Sequence, residues 1–250
     1  MKILVISDIH ANLNALEAVL ADAGECDATW CLGDLVGYGP DPNECIARVH
    51  MLPNLLCVIG NHDSAVLGHI DPNAFNSEAR QAIEWTRKIL TAASWGFLGS
   101  LPERVSTDPG YFNLPRQITL VHGSPRQPVW EYLLDTYTAT HNFEYFDTDY
   151  CFVGHTHLPI IFHHSDGRSP ARPMIPESGQ RVSLSPRAII NPGSVGQPRD
   201  RDPRAAFIIY NPNEDVVEYR RAAYDIAGMQ SRMRKLALPE RHIVRLEGGW

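Results

Sequence analysis

Lys2-Ile3-Leu4-Val5-Ile6-Ser7-Asp8-Ile9-His10 is the stretch on which the fold turns. Its apolar run reads as a short buried strand, and it leads straight into an Asp and a His two residues apart. A buried strand of an α/β sheet delivers its last side chains to the edge where loops and ligands meet. Asp and neutral His both ligate divalent metals of the manganese, iron and zinc kind. The arrangement then recurs. Apolar runs at 28–32, 55–59, 117–121 and 150–153 end in Gly33-Asp34, Gly60-Asn61-His62-Asp63, His122-Gly123 and Gly154-His155-Thr156-His157.

Between these runs the spacing predicts helices. Residues 13–20 carry Leu13, Leu16, Val19 and Leu20 on one face behind a capping Asn12. Residues 42–49 start with Asp41 and Pro42, a helix-initiating pair. Successive strand–helix units before residue 60 imply a largely parallel sheet with helices on its faces. The longest helical pattern, 76–92, is expected to build a helical lobe at about 70–100 above the sheet, followed by a connector at 95–102. Segments 104–106 and 111–114 read as a hairpin around Asp108-Pro109-Gly110. Residues 124–137 have no clean period and read as a loop at the site rim, with a short helix at 139–146. Segment 159–163 reads as an edge strand and 165–180 as an exposed excursion rich in Pro, Gly and Ser. Strands at 182–184 and 188–190 lead into Asn191-Pro192-Gly193-Ser194, read as a tight turn under the site. A hairpin at 205–210 and 216–219 precedes a last helix at 226–236. No linker divides the chain, so residues 1–250 are expected to form one domain.

The 250 residues suffice for a substantial core, and 44% hydrophobic with 20% charged content is ordinary for a globular protein. A net charge of -7 argues against general nucleic-acid binding. It leaves room for a small anionic substrate, because bound metals invert the local field. Cys26, Cys31, Cys45, Cys57 and Cys151 are odd in number and lack CxxC spacing, which suits reduced core thiols in a cytoplasmic protein. The apolar N-terminal run is too short for a signal peptide or a membrane span, so no membrane partner is expected.

Taken singly, Asp8 is a plausible helix cap, Asp34 a turn residue, and His122 or His155 a satisfied core histidine. Together they need another explanation, because the carboxyl ends of parallel strands lie side by side. Asp8, His10, Asp34, Asn61, His122, His155 and His157 supply more ligands than one ion takes and fewer than two need without sharing. A bridging carboxylate reconciles the count with two divalent ions about 3.5–4 Å apart. Manganese, iron, zinc and nickel all suit these donors, with manganese the natural choice in vitro. Trp85, Trp95, Tyr111 and Trp130 read as packing residues rather than a base-stacking platform.

The series Asp8-x-His10, Gly33-Asp34-x-x-Gly37, Gly60-Asn61-His62-Asp63, His122-Gly123 and Gly154-His155-x-His157 resembles the calcineurin-like metallophosphoesterase superfamily. Asn191-Pro192-Gly193-Ser194 also resembles its small bacterial branch, the YfcE-like phosphodiesterases. The resemblance implies two mixed β-sheets packed as a sandwich flanked by helices, a four-layer fold, with the Pro-rich excursion and C-terminal strands in the second sheet. It implies that Asp8, His10 and His157 bind a first metal, that Asn61, His122 and His155 bind a second, and that Asp34 bridges them. His62 would lie near the leaving-group oxygen and act as an imidazolium acid, with Asp63 orienting it.

The implied activity is hydrolysis of small phosphate monoesters or diesters, by in-line attack of a metal-bridging hydroxide. A nucleotide or dinucleoside polyphosphate is one candidate substrate. A non-catalytic binding or scaffold protein of the same fold is the alternative, which eroded ligands or a missing His62 would signal. Protein Ser/Thr phosphatases of the superfamily carry GDxxDRG, where this chain has Gly37 and Tyr38 in place of Asp and Arg. A protein substrate is therefore disfavoured. Asn61 and His62 are expected to touch substrate, and Arg126 and Arg199 are candidates for the missing phosphate contact. Oligomeric state has no signature in the sequence.

Overall fold

Alternation along the first strand sends Ile3 and Val5 into one apolar core and Leu4 and Ile6 into another. A strand buried on both faces must be covered on both, and the architecture follows from that. The computed structural model describes residues 1–164 and 169–250. Its strands are β1 (Ile3–Ile6), β2 (Ala28–Cys31), β3 (Leu55–Cys57), β4 (Arg104–Ser106), β5 (Ile118–Val121), β6 (Tyr150–Phe152), β7 (Pro159–His163), β8 (Arg172–Met174), β9 (Arg181–Ser183), β10 (Ala188–Pro192), β11 (Ala205–Asn211) and β12 (Val216–Ala222). They form two six-stranded mixed sheets, ordered β3-β2-β1-β11-β12-β9 and β4-β5-β6-β10-β7-β8. In the first, β1, β2 and β3 run parallel; in the second, β5, β6 and β10 do.

The sheets pack through Ile3, Val5, Trp30 and Leu32 on one side and Leu120, Phe152 and Ile190 on the other. Helices α1 (Leu13–Ala23), α2 (Pro42–His50), α3 (Asn61–Leu67), α4 (Ser77–Ile89) and α5 (Ala92–Gly99) cover the outer face of the first sheet through Leu16, Val49, Ala65, Ile83 and Leu98. Helix α6 (Thr136–Asn142) and the following 3-10 turn cover the second sheet through Ala139 and Phe143. The result is helix, sheet, sheet, helix, the expected four layers. Helices α7 (Ile226–Lys235) and α8 (Glu240–Gly248) pack on each other and on Trp85. No helix among the described residues is long and apolar enough to cross a membrane.

Several local expectations are corrected. β11 and β12 extend the first sheet, not the second, because β11 pairs with β1 (Leu4 opposite Ile209). β7 is not an edge strand; it lies between β10 and β8. β4 pairs with β5 rather than with 111–114, and Tyr111–Asn113 forms a 3-10 turn. The connector at 95–102 is mostly helix α5, capped by Thr91. α3, which starts within the Gly60–Asp63 motif, and α8 are additional helices. The excursion at 165–180 contains β8, and its residues 165–168 lie outside the described residues.

Trp30, 1% exposed, meets Phe152 and Tyr210 edge-on or tilted between the sheets. Trp30→Ala should lower stability by about 3–5 kcal/mol. A urea midpoint within error of wild type would contradict that packing role.

Candidate metal centre

The chain leaves β1 by an abrupt turn. Asp8, His10, Asp34, His155 and His157 all take left-handed φ angles, 53°, 48°, 53°, 65° and 61°. Each such residue carries strain of roughly 1–3 kcal/mol, tolerated only where the surroundings fix it. Here they do. Asp8 N–H donates to Gly33 O at 3.0 Å and His10 N–H to Asp34 O at 2.9 Å, tying the ends of β1 and β2 together. The turn after β10 closes from the other side: Ser194 Oγ donates to Asp8 O at 2.9 Å, and Asn191 Nδ2 donates to Gly154 O at 2.7 Å. Asn191–Ser194 thus supports the site floor, as its sequence suggested. Two glycines are required by contact: a Cβ at Gly60 would overlap Asp34, and one at Gly37 would overlap the His62 ring.

Three groups of side chains bring ligand atoms within 4.8 Å of one another: Asp8 with His10 and His157, Asp34 with His122 and His155, and His10 with Asp34 and His62. Asn61 Oδ1 lies 3.0 Å from His122 Nε2. All seven expected ligands therefore converge, and all are buried. Backbone carbonyls set the histidine tautomers. His10, His122 and His157 donate from Nδ1 to Val36, Leu32 and Gln197 O, at 3.0, 2.8 and 2.6 Å. His155 donates from Nε2 to Trp130 O at 3.1 Å. The opposite nitrogens face one another: His10 Nε2 is 3.2 Å from His157 Nε2, and His122 Nε2 is 3.2 Å from His155 Nδ1. Asp8 Oδ1 and Asp34 Oδ2 are buried in this cluster with no hydrogen-bond donor. Buried carboxylate oxygens that lack a well-formed hydrogen bond, set among imidazole nitrogens, fit divalent cations.

Electrostatics agree. Burial pushes Asp8 up to about 6, with Asp34 adding to the rise and His122 opposing it. For Asp34 burial acts the same way, but His122 and His62 outweigh it and hold the carboxyl well below its usual range. His122 is the cationic partner: burial opposes its charge, yet Asp34 raises it to about 9. Burial keeps His10 and His157 well below the ordinary histidine range and lowers His155 to about 3. These three are neutral at pH 7, the form that ligates metal.

The expected outer residues divide. His62 lies beside the cluster, its backbone N–H donating to Asp34 Oδ1 at 2.8 Å. Burial lowers its pKa to about 4, toward the neutral imidazole and away from the imidazolium that the resemblance implies. Asp63 does not orient it. Its carboxylate accepts from Gly60 N–H at 3.0 Å and Val36 N–H at 3.1 Å, capping α3 and fixing the loop after Asp34. Arg126 is paired with Glu131 and is not directed at the cluster. Arg199 is: its Nη2 reaches Tyr38 Oη at 3.4 Å and Gln197 Oε1 at 3.1 Å, and its charge helps depress His157. Tyr38 was read only as a departure from a motif. Its ring packs against His10 at 4.4 Å and His62 at 4.5 Å. Its phenol, which burial raises to about 12, stays protonated. The carbonyls of Leu32, Val36, Trp130 and Gln197 were also missed, because a backbone acceptor has no residue signature.

Residues 1–215 match the calcineurin-like phosphoesterase superfamily domain. The chain belongs to that superfamily. It is 47% identical to a metallophosphoesterase from Sphaerobacter thermophilus, whose crystal structure it matches with a TM-score of 0.89 over 100% of this chain and 99% of that one. An uncharacterized protein from Methanocaldococcus jannaschii is 38% identical over 95% of this chain and 94% of its own length. A symmetrical bis(5'-nucleosyl)-tetraphosphatase of Ectopseudomonas mendocina is 30% identical over 51% of this chain and 46% of its own. Membership with this donor set makes the chain a metal-dependent phosphoesterase.

Behind Tyr38, at 4.3 Å between rings, His242 is buried on α8. Burial, with Arg245 adding, lowers its pKa from 6.5 to about 3. The unfolded chain therefore binds this proton first, so stability is full above pH 6.5 and falls by about 1.4 kcal/mol per unit toward pH 3. His242→Leu should flatten that acid limb relative to wild type. Denaturant midpoints across this range that fall equally in both proteins would disprove it.

Proposed function

We propose that this chain holds two divalent cations and hydrolyses small phosphate monoesters or diesters. Asp8, His10 and His157 would hold one ion, Asn61, His122 and His155 the other, with Asp34 shared. The observation that carries this reading is the pair of donorless buried oxygens, Asp8 Oδ1 and Asp34 Oδ2, each within a separate histidine group. Manganese, iron, zinc and nickel all suit these donors.

Bound ions of this kind supply positive charge to phosphate oxygens and lower the pKa of water. The protein's own groups do the rest. The carbonyl-bound histidines are held in one tautomer and one orientation, so no reorganisation is needed as charge develops. Arg199 adds a permanent cation beside the site for a phosphate oxygen. His62, neutral but still able to offer an N–H, would donate to the leaving oxygen. Asn61, on the first turn of α3, contributes an amide to the same edge. Partial likeness to the tetraphosphatase favours a nucleotide or dinucleoside polyphosphate as the finer substrate reading. The five unpaired cysteines, four of them buried, favour the reducing cytoplasm as its location.

Asp34→Asn should cut turnover of bis-p-nitrophenyl phosphate with manganese by about 100-fold or more and reduce bound metal per chain, since even outer-shell changes cost 10–100-fold. Full turnover with unchanged metal content would remove Asp34 from its bridging place.

A further inference from the structure

The cluster is buried, but the surface beside it is neither polar nor featureless. Trp130 and Tyr132 lie on the loop between β5 and α6, and they are 38% and 45% exposed. Both are anchored to the centre. The Tyr132 ring stacks on His155, with centroids 3.9 Å apart and planes 18° from parallel. Trp130 holds His155 through its carbonyl and meets Phe75 edge-on at 5.2 Å. Phe75 in turn meets His62 edge-on at 5.0 Å. A continuous run of ring contacts therefore leads from His62, beside the expected leaving group, through Phe75 to the exposed Trp130. The loop is braced at its base, where Glu131 accepts from Ser124 Oγ at 2.6 Å and from Asn142 Nδ2 at 2.9 Å.

We propose that Trp130 and Tyr132, backed by Phe75, form a subsite that stacks the planar aromatic part of the substrate, a nucleobase, while its phosphate lies on the buried cluster. The proposal rests on the phosphoesterase reading and deepens it. Aromatic faces accept any base without reading its edge, so the subsite selects a class of ester and not one nucleotide. Arg199 lies close enough to Tyr132 for its charge to act on the phenol, so a cation for phosphate flanks the same mouth. Packing was the expectation for Trp130 from sequence. Trp130 does pack, edge-on against Phe75, and at 38% exposure part of it also meets solvent.

The test compares kcat/KM for a nucleoside phosphodiester with that for an aliphatic ester, glycerol phosphate, in wild type, Trp130→Ala, Tyr132→Ala and Tyr132→Phe. Alanine at either position should lower the preference for the nucleoside ester by about tenfold, mainly through KM, and Tyr132→Phe should restore it. Quenching of tryptophan fluorescence by adenosine monophosphate should be strong in wild type and weak in Trp130→Phe, which keeps the fold. Preference and quenching unchanged across all variants would overturn the subsite while leaving the phosphoesterase reading intact. Quenching that depends on Trp130 in a protein that hydrolyses no ester would uphold the subsite and overturn that reading instead. Absence of both signals would overturn both.

Discussion

Asp8 and Asp34 carry two carboxylates into a region that water does not reach. Each keeps one oxygen without a hydrogen-bond donor, and Asp34 raises the cost of ionising Asp8. His122, and more weakly Arg199, answer part of that charge. Burying such a pair is unfavourable unless positive charge is provided, and divalent ions provide it at a scale side chains do not. Much of the surrounding structure reads as the means of keeping the pair in place until then.

The means are mostly backbone. Left-handed turns after β1, β2 and β6 bend the chain so that side chains meet at one point. Carbonyls of Leu32, Val36, Trp130 and Gln197 orient four histidines, and in three of them, His10, His155 and His157, they favour the tautomer that presents a lone pair inward. Asp63 fixes the loop that carries Val36, so a residue expected to act in chemistry instead secures an acceptor for His10. Strain at the centre is balanced by order around it, the usual bargain at a preorganised site.

Neutral histidines around an anionic pair also define what the site can receive. The centre is organised for cations first and phosphate second. Arg199 and the buried Tyr38 flank it on one side, and the partly exposed rings of Trp130 and Tyr132 border it on another. Replacing the Asp and Arg of the protein-phosphatase motif with Gly37 and Tyr38 fits this division. Gly37 makes room for His62, and the Tyr38 phenol takes a hydrogen bond from Arg199, so the guanidinium reaches the site from another loop.

The chain itself determined which polar side chains converge, because each follows an apolar run and that order is written in one dimension. It also determined the helix and strand character of the strongly periodic segments, α1, α2 and β1 among them. The tertiary structure alone decided the rest. Which sheet β11 joins depends on its pairing with β1, some two hundred residues away, and no local pattern encodes a partner. Short elements such as α3 and α5 gain their stability from packing rather than propensity, so their sequences looked like loops. Arg126 and Arg199 are equivalent as letters and differ only in what lies beside them, Glu131 for one and Tyr38 for the other. Likewise, whether Trp130 fills a core or faces solvent is a matter of burial, and burial is a property of the folded chain.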